Sequence, residues 1–238
     1  MSKPARSRPV CAVVGVGPGN GAALARAFAE EGYALALIAR SARFATELAS
    51  TFAVSRAYAC DIADEALVAE TFGRIHAELG EVDVLIMNAG TGAWGSIDTI
   101  SAAQFEAAWR TSALGTFLAS QQVIPAMKRR GQGTILVIGA TASLRGVPNT
   151  AAVAPAKAAQ RILAESMART LGPVGIHVAV LILDGVVDMP AARAHFAHKP
   201  DAFFIKPHAV AETALALVRQ DRSAWSFLTE VRPFGETW

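Results

Sequence analysis

Apolar runs of strand length alternate along this chain with longer segments of helical periodicity, and this alternation limits the folds open to it. A continuous apolar run is typical of a strand buried on both faces, and a helix between successive strands makes the crossover that joins parallel strands. We therefore predict an α/β fold, a doubly wound parallel sheet of about seven strands with helices on both faces. The predicted strands cover residues 10–16, 34–39, 52–60, 82–90, 133–140 and 175–183, with a short one near 226–231.

The same pattern gives the helices and the domain organisation. The longest helix is expected over residues 102–130, ended or kinked by Pro125 because proline has no N–H to donate, and another over 150–171. No shift in composition marks a second domain, so residues 1–238 are predicted to form a single domain. Residues 1–8 are expected to be a flexible tail. The irregular segment 184–207 follows the carboxyl end of a strand and is expected to be a substrate lid.

Composition and charge exclude several classes of protein. The net charge is only +2, which argues against nucleic acid and against a membrane surface as partners. No apolar run is long enough to span a membrane, and no apolar signal core follows the basic start. Cys11 and Cys60 lie in apolar strands and are expected to be buried free thiols, which favours a cytoplasmic location. The pattern predicts no metal site.

A glycine-rich loop, GVGPGNG, separates the first predicted strand from the first helix. Glycines let the backbone turn sharply and approach a pyrophosphate closely, while the first N–H groups of the helix are free to bind it. At the first turn of a doubly wound pattern, this loop predicts a Rossmann-type dinucleotide site in which Gly15, Gly19, Asn20 and Gly21 contact the coenzyme. The alternative is a tight turn that binds nothing.

The residue that follows the second strand selects the nucleotide. An acidic side chain there would bind the ribose 2′-hydroxyl of NAD, but this chain has Ala39 followed by Arg40, with Arg43 close behind. A guanidinium matches a 2′-phosphate in both charge and geometry. We therefore expect NADP(H) to be preferred over NAD(H). The alternative is that Arg40 is an ordinary solvated cation.

At these residues the chain resembles the short-chain dehydrogenase/reductase family, from about residue 10 to about residue 190. Gly15, Gly19 and Gly21 match the family's Gly-x-x-x-Gly-x-Gly loop, although Val14 replaces the threonine usual before it. The resemblance implies further coenzyme contacts at Asp61 and Ile62 after the third strand, at Asn88, Ala89 and Gly90 after the fourth, and at Val187 after the sixth.

The family's catalytic groups are mostly absent. The family transfers a hydride between a nicotinamide and a carbonyl or alcohol, using a tyrosine as acid, a lysine four residues later, a serine that polarises the carbonyl and an asparagine that orders a water. The resemblance places these roles at Val153, Lys157, Ala140 and Ser112, so only the lysine is kept. Losing a positioned general acid costs about 10²- to 10⁴-fold in rate. The resemblance is therefore to an atypical branch that lacks the tyrosine and keeps the lysine.

Two functions are consistent with a chain that keeps the coenzyme-binding residues and lacks most of the catalytic ones. The first is an NADP(H)-dependent oxidoreductase of weakened or non-standard mechanism, with Lys157 and Ser112 as catalytic residues and a substrate that needs little activation. The second is a catalytically inactive NADP(H)-binding sensor or oligomeric scaffold. Groups considered as a replacement acid are Thr141, Ser143, Asn149, Thr150, Asp184, Asp188, His195 and His198, and a histidine is the best proton carrier among them at neutral pH.

The remaining expectations concern partners. Trp94, Phe196, Phe203 and Phe204 indicate an apolar pocket for a small-molecule substrate. The resemblance implies self-association as a dimer or tetramer, and the many alanines of the two long helices permit close packing between copies.

Overall fold

A computed structural model of the chain describes residues 8–236. Seven parallel strands form one sheet in the order β3-β2-β1-β4-β5-β6-β9. This sheet, with helices on both faces, confirms the predicted Rossmann-type α/β fold. Its strands are β1 (Val10–Val14), β2 (Ala34–Ala39), β3 (Ser55–Ala59), β4 (Val82–Met87), β5 (Gly133–Ala140), β6 (Ile176–Leu183) and β9 (Leu228–Val231), while β7 (Val186–Val187) and β8 (Phe204–Ile205) pair separately.

The helices pack on the sheet in two layers, and β1 shows why. Its side chains alternate, so that Val10, Ala12 and Val14 enter one apolar core while Cys11 and Val13 enter the other. All are buried, as the continuous apolar run predicts. The helices are α1 (Asn20–Glu30), α2 (Ala42–Ala49), α3 (Glu65–Glu78), α4 (Ala102–Trp109), α5 (Gly115–Arg130), α6 (Val153–Leu171), α7 (Pro190–His195) and α8 (Pro207–Val218).

The long helix predicted over residues 102–130 is two α-helices joined by one π-helical turn, Arg110–Leu114. Pro125 does not end the helix, because α5 continues to Arg130. Proline frees the carbonyl of the residue four positions earlier. Here that residue is Gln121, and both it and Pro125 are exposed, so water can satisfy the freed carbonyl.

Two further boundaries differ from the sequence prediction. The third strand begins at Ser55 instead of residue 52, because Phe52 still donates a backbone hydrogen bond to Ala49 at the end of α2. The helix expected from Thr150 begins at Val153. Asn149 has a φ of 66°, and the Thr150 hydroxyl closes a turn by bonding to both the N–H and the carbonyl of Val147.

The segment predicted as a lid has structure of its own. Residues 184–207 contain β7, α7 and β8, and Val186 and Val187 pair with Phe204 and Ile205. The predicted tail lies outside the described residues apart from Arg8. Cys11 and Cys60 are buried free thiols, as expected.

Candidate active site

A cavity of about 450 Å³ opens at the carboxyl ends of β1, β2 and β4, on the edge of the sheet where doubly wound folds bind ligands. The order of the strands reverses at this point, since β1 lies between β2 and β4. The cavity is lined by the glycine loop and by the turns after β2, β3 and β4. Its lining residues are Val14, Gly15, Val16, Gly17, Pro18, Ile38, Ala39, Arg40, Ser41, Phe44, Cys60, Ile62, Asn88, Ala89, Gly90 and Thr111.

The glycine loop is held against the turn after β4. Gly15 has a φ of +91°, and a Cβ atom there would lie 2.5 Å from the backbone nitrogen of Ala89, so only glycine fits. The Asn88 side chain donates a hydrogen bond to the Gly15 carbonyl, 2.7 Å away. Gly21 is equally enclosed, since its Cβ would lie 2.7 Å from that same carbonyl.

The amino end of α1 fits a pyrophosphate. Its first backbone N–H groups have no partner within the helix, and the helix dipole favours an anion there. Gly17 borders open space, because no atom lies within 4 Å of the position of a Cβ on it. The side-chain oxygen of Asn20 is buried and has no hydrogen-bond partner among the described residues, as expected where a ligand completes the site.

Arg40 lines the cavity, and its exposed guanidinium forms no ion pair with any residue between 8 and 236. Arg43 does not line the cavity and pairs with Glu47 instead. The Ser41 side chain precedes α2 but makes no capping hydrogen bond, which leaves its hydroxyl free beside Arg40. One guanidinium and one hydroxyl therefore meet at the position predicted for a 2′-phosphate.

Asp61 and Ile62 are placed differently. Ile62 is buried against Gly115 of α5 and lines the cavity. Asp61 is exposed, accepts a hydrogen bond from the Ala63 N–H, and borders a separate hollow with Asp64 and Arg110. An adenine contact from Asp61 would require its side chain to turn from this local hydrogen bond.

Lys157 is buried at the inner end of the site, with 8% of its surface exposed. Its Nζ donates hydrogen bonds to the Ile138 carbonyl at 3.0 Å and to Oε1 of Gln160 at 2.9 Å. It also lies 4.0 Å from the position of a Cβ on Gly90, at the edge of the coenzyme cavity. Desolvation lowers the pKa of the Lys157 ammonium from 10.5 to about 8.

A chain of hydrogen bonds links Lys157 to the π-helical turn. Gln160 donates from Nε2 to the Thr116 hydroxyl at 2.8 Å, and that hydroxyl donates to the Ser112 carbonyl at 2.7 Å. Ser112 is buried in the turn, which is the kind of irregular helix often found at functional sites. The predicted pair, Lys157 and Ser112, is thus connected through Gln160 and Thr116.

The position of the family's tyrosine is apolar. Val153 is buried one helical turn before Lys157 and packs with Ala142 and Ala154, with Ala140 against them. None of these four side chains has a proton to donate or an atom that polarises a carbonyl.

The polar groups weighed as replacements are engaged elsewhere. The Thr141 hydroxyl donates to Asp184, a buried carboxylate that also pairs with Arg232 and lies 3.5 Å from Arg145. The Ser143 hydroxyl accepts from the Ala140 N–H. Asp188 pairs with Arg193 and Lys206, and the hydrogen bonds from these cations hold its pKa well below the usual range. His195 and His198 are exposed, and Asn149 and Thr150 belong to the turn described above.

A second cavity, of about 560 Å³, adjoins the Val153 cluster through Ala142 and Ala154. Backbone pairing between Gly95 and Thr150 joins two of its walls. Its lining is mainly apolar, with Arg145 as the charged exception. Its size suits a small apolar ligand.

The aromatic residues of the lid do not line this second cavity. Phe196, Phe203 and Phe204 pack against one another within the lid, and Trp94 is exposed. Val187 is half-buried against the core beside α8. The Met189 side chain lies 3.7 Å from the position of a Cβ on Gly19, so the segment predicted as a lid contacts the glycine loop there.

Sequence reasoning missed Ser41, Phe44, Thr111 and Gln160. A serine that directly precedes an amphipathic helix is a readable sign for Ser41. Gln160 carries no comparable sign, because its partner Thr116 is far away in the sequence. The part of the chain that the structure describes contains no cluster of histidine, cysteine, aspartate and glutamate side chains able to hold a metal ion. No helix of residues 8–236 is long and apolar enough to cross a membrane.

The chain is similar in sequence to named dehydrogenases. The chain is 32% identical over 173 residues to 2-(S)-hydroxypropyl-CoM dehydrogenase 3 of Xanthobacter autotrophicus, covering 71% of this chain and 68% of that protein. It is 30% identical over 209 residues to Inactive 2-(S)-hydroxypropyl-CoM dehydrogenase 2 of the same organism, covering 82% and 91%.

Solved structures share the fold. A short-chain dehydrogenase from Rhodopseudomonas palustris superposes with a TM-score of 0.82 at 32% identity, covering 97% of this chain and 100% of that one. An alcohol dehydrogenase from Thermococcus sibiricus, complexed with 5-hydroxy-NADP, has a TM-score of 0.86 at 24% identity, covering 97% and 98%, a likeness of fold. The family model described as short chain dehydrogenase matches residues 9–199. The chain is therefore a member of the short chain dehydrogenase family.

Proposed function

We propose that this chain is an NADP(H)-dependent oxidoreductase that transfers a hydride between the nicotinamide and a carbonyl or alcohol by a non-standard mechanism. One observation carries the proposal: the coenzyme cavity is intact, with Gly15 and Gly21 enclosed and the amino end of α1 open. The bound coenzyme supplies the hydride. The glycine loop would bind its pyrophosphate, and Lys157, which the resemblance also implies as a coenzyme contact, lies at the cavity edge beside Gly90.

The preference for NADP(H) is supported by the surroundings of Arg40. Its guanidinium has no acidic partner among residues 8–236, and the free Ser41 hydroxyl lies beside it. Charge-assisted hydrogen bonds from both groups to a 2′-phosphate would add to binding without displacing an existing ion pair. An NAD-selective site would need an acceptor for the 2′-hydroxyl there, and Ala39 has none.

The chain's own residues also define what the mechanism lacks. The apolar cluster of Val153, Ala142, Ala154 and Ala140 excludes water and gives no hydrogen bond to a substrate oxygen. Binding in the adjoining apolar cavity orients the substrate, and proximity contributes to rate without any acid. We expect slow turnover, favouring carbonyls that are already polarised by their own structure.

A second function is favoured by that same cluster. A chain that binds NADP(H) but activates no substrate would act as a sensor or an oligomeric scaffold. The similarity to a protein whose name begins with "Inactive" points the same way. Coenzyme binding is common to both functions, so turnover separates them.

The test is a calorimetric titration of the purified protein with NADPH and with NADH, followed by a screen of carbonyl substrates. Micromolar or tighter binding with NADPH preferred supports the site, and a stable product supports the oxidoreductase. Tight binding with no turnover favours the sensor or scaffold. If neither coenzyme binds, the glycine loop is only a structural turn.

We also propose that the chain self-associates as a dimer or tetramer in the cytoplasm, with a small apolar substrate and with neither nucleic acid nor a membrane as partner. Large apolar side chains are exposed on its long helices: Phe105 and Trp109 on α4, Phe117 on α5 and Ile162 on α6. Burying them between copies would remove apolar surface from water. Light scattering at micromolar concentration tests this, and a monomeric mass would contradict it.

A further inference from the structure

We infer that Lys157 is the proton donor of this enzyme, taking the role that the missing tyrosine has in its relatives. The inference rests on the proposed oxidoreductase function. Its basis is the arrangement of the Lys157 hydrogen bonds, the absence of an acidic partner among residues 8–236, and the presence of Val153 where the relatives have the tyrosine.

The Lys157 ammonium has three protons to donate. Two of them are donated to fixed acceptors, the Ile138 carbonyl and Oε1 of Gln160. Gln160 is itself buried and held by the Thr116 hydroxyl, so its oxygen stays turned toward Lys157. The third N–H has no acceptor among the described residues and is the one available to a ligand.

The positive charge of Lys157 is buried. Nζ lies against the Ile138 carbonyl, Oε1 of Gln160 and Gly90, and none of these residues has a titratable side chain. Burial alone lowers the Lys157 pKa to about 8. An ammonium without a counterion in an apolar site gives up its proton more readily than one in water. Asp184, which follows β6, is already paired with Arg232.

One turn before Lys157 on α6 lies Val153, whose side chain is far shorter than that of a tyrosine and packs on alanines. No phenol therefore competes with Lys157 for a substrate oxygen, and Nζ lies 4.0 Å from the Cβ position of Gly90, which lines the first cavity. The second cavity borders the Val153 cluster at Ala142 and Ala154.

The reaction balances with these groups. During reduction the carbonyl carbon accepts a hydride from the dihydronicotinamide, the C=O π pair moves to oxygen, and that oxygen takes the third proton of Lys157. The coenzyme is oxidised and the carbonyl becomes an alcohol. Neutral Lys157 keeps two N–H groups, which still donate to Ile138 and Gln160, and solvent restores its proton after product leaves. Oxidation of an alcohol runs the same steps backward, with neutral Lys157 as base.

A direct test needs no turnover. Protein labelled at lysine Cε is titrated by NMR with and without NADP⁺, and Lys157→Met assigns the Lys157 signal by its disappearance. The expected result is one lysine that titrates near pH 8, well below the others. A Lys157 signal that titrates with the exposed lysines overturns the inference, whereas failure of NADPH to bind in calorimetry overturns the proposed function as well.

The kinetic test uses NADPH and 4-nitrobenzaldehyde, an activated aldehyde. We expect kcat/KM for reduction to fall as pH rises above about 8, because the donor must be protonated. Lys157→Arg keeps the positive charge but holds its proton too tightly to give it up, so we expect a loss of about 10²- to 10⁴-fold. A variant that binds NADPH and keeps the rate contradicts the inference, as does a wild type that binds NADPH and reduces no aldehyde.

Discussion

Lys157 donates a hydrogen bond from Nζ to the carbonyl oxygen of Ile138, 3.0 Å away, and so links α6 to the carboxyl end of β5. At this position the Lys157 ammonium is buried and therefore desolvated. Between pH 8 and pH 10.5 the unfolded chain binds this proton more tightly than the folded chain, because burial lowers the folded-state pKa. The free energy of unfolding attributable to Lys157 should therefore rise across this interval.

We predict that urea unfolding of the wild type and of Lys157→Met will differ in pH dependence. From about pH 8 to above pH 10 the free energy of unfolding of the wild type should rise by roughly 3 kcal/mol at most relative to that of the variant. The reason is that folding lowers the Lys157 pKa from 10.5 to about 8. Below about pH 8 the difference should be constant. Lys128→Met, at an exposed lysine of α5, is the control and should follow the wild type. Parallel curves for wild type and Lys157→Met would contradict a buried ammonium.

Coenzyme selectivity should depend on Arg40. Because its guanidinium lines the cavity without an acidic partner, Arg40→Ala should weaken NADPH binding by roughly 10- to 100-fold and leave NADH binding nearly unchanged. Arg43→Ala is the matched control, since Arg43 pairs with Glu47 outside the cavity. Calorimetry with both coenzymes measures this. Equal losses for the two coenzymes would show that Arg40 does not contact a 2′-phosphate.

Gly15 should be necessary for folding as well as for binding. A methyl group there would lie 2.5 Å from the Ala89 nitrogen at a φ of +91°, so Gly15→Ala should cost roughly 2–4 kcal/mol of unfolding free energy. Gly17→Ala adds the same methyl in open space and should change it by less than about 0.5 kcal/mol. Chemical denaturation of the two variants compares them, and similar stabilities would mean that the close approach at Gly15 is relaxed in solution.

The ion pair between Asp184 and Arg232 should stabilise the carboxyl ends of β6 and β9. Both side chains are largely buried and Glu230 remains 3.6 Å from Arg232 in the variant, so Asp184→Ala should cost about 1–3 kcal/mol. A double-mutant cycle with Arg232→Ala should return a coupling of more than about 1 kcal/mol. Glu165→Ala removes the surface pairs with Arg161 and Arg169 and should cost less than about 1 kcal/mol. A coupling near zero would show that the two charges act independently.

The parts of this molecule that sequence predicts well are those governed by local pattern. The apolar run at β1 and the glycines after it specify a buried strand and a tight turn without reference to the rest of the chain. The π-helical turn at Arg110–Leu114 and the uninterrupted α5 at Pro125 depend instead on tertiary contacts and on solvent access to Gln121.

The candidate site divides in the same way. Arg40 is readable from its place after β2, and Val153 from its spacing to Lys157. The role of Gln160 is not readable, because it depends on Thr116, which is 44 residues away in sequence. The lid shows the same limit: Phe196, Phe203 and Phe204 look like pocket residues in a list of aromatics, and only their mutual packing shows that they stabilise the lid itself.

The contact between Met189 and Gly19 bears on how fast a coenzyme can be exchanged. A pyrophosphate bound at the amino end of α1 would lie beside this thioether. Movement of residues 184–207 would then add a step to coenzyme entry and exit, and association would saturate at the rate of that movement. Shortening Met189 would speed exchange in both directions.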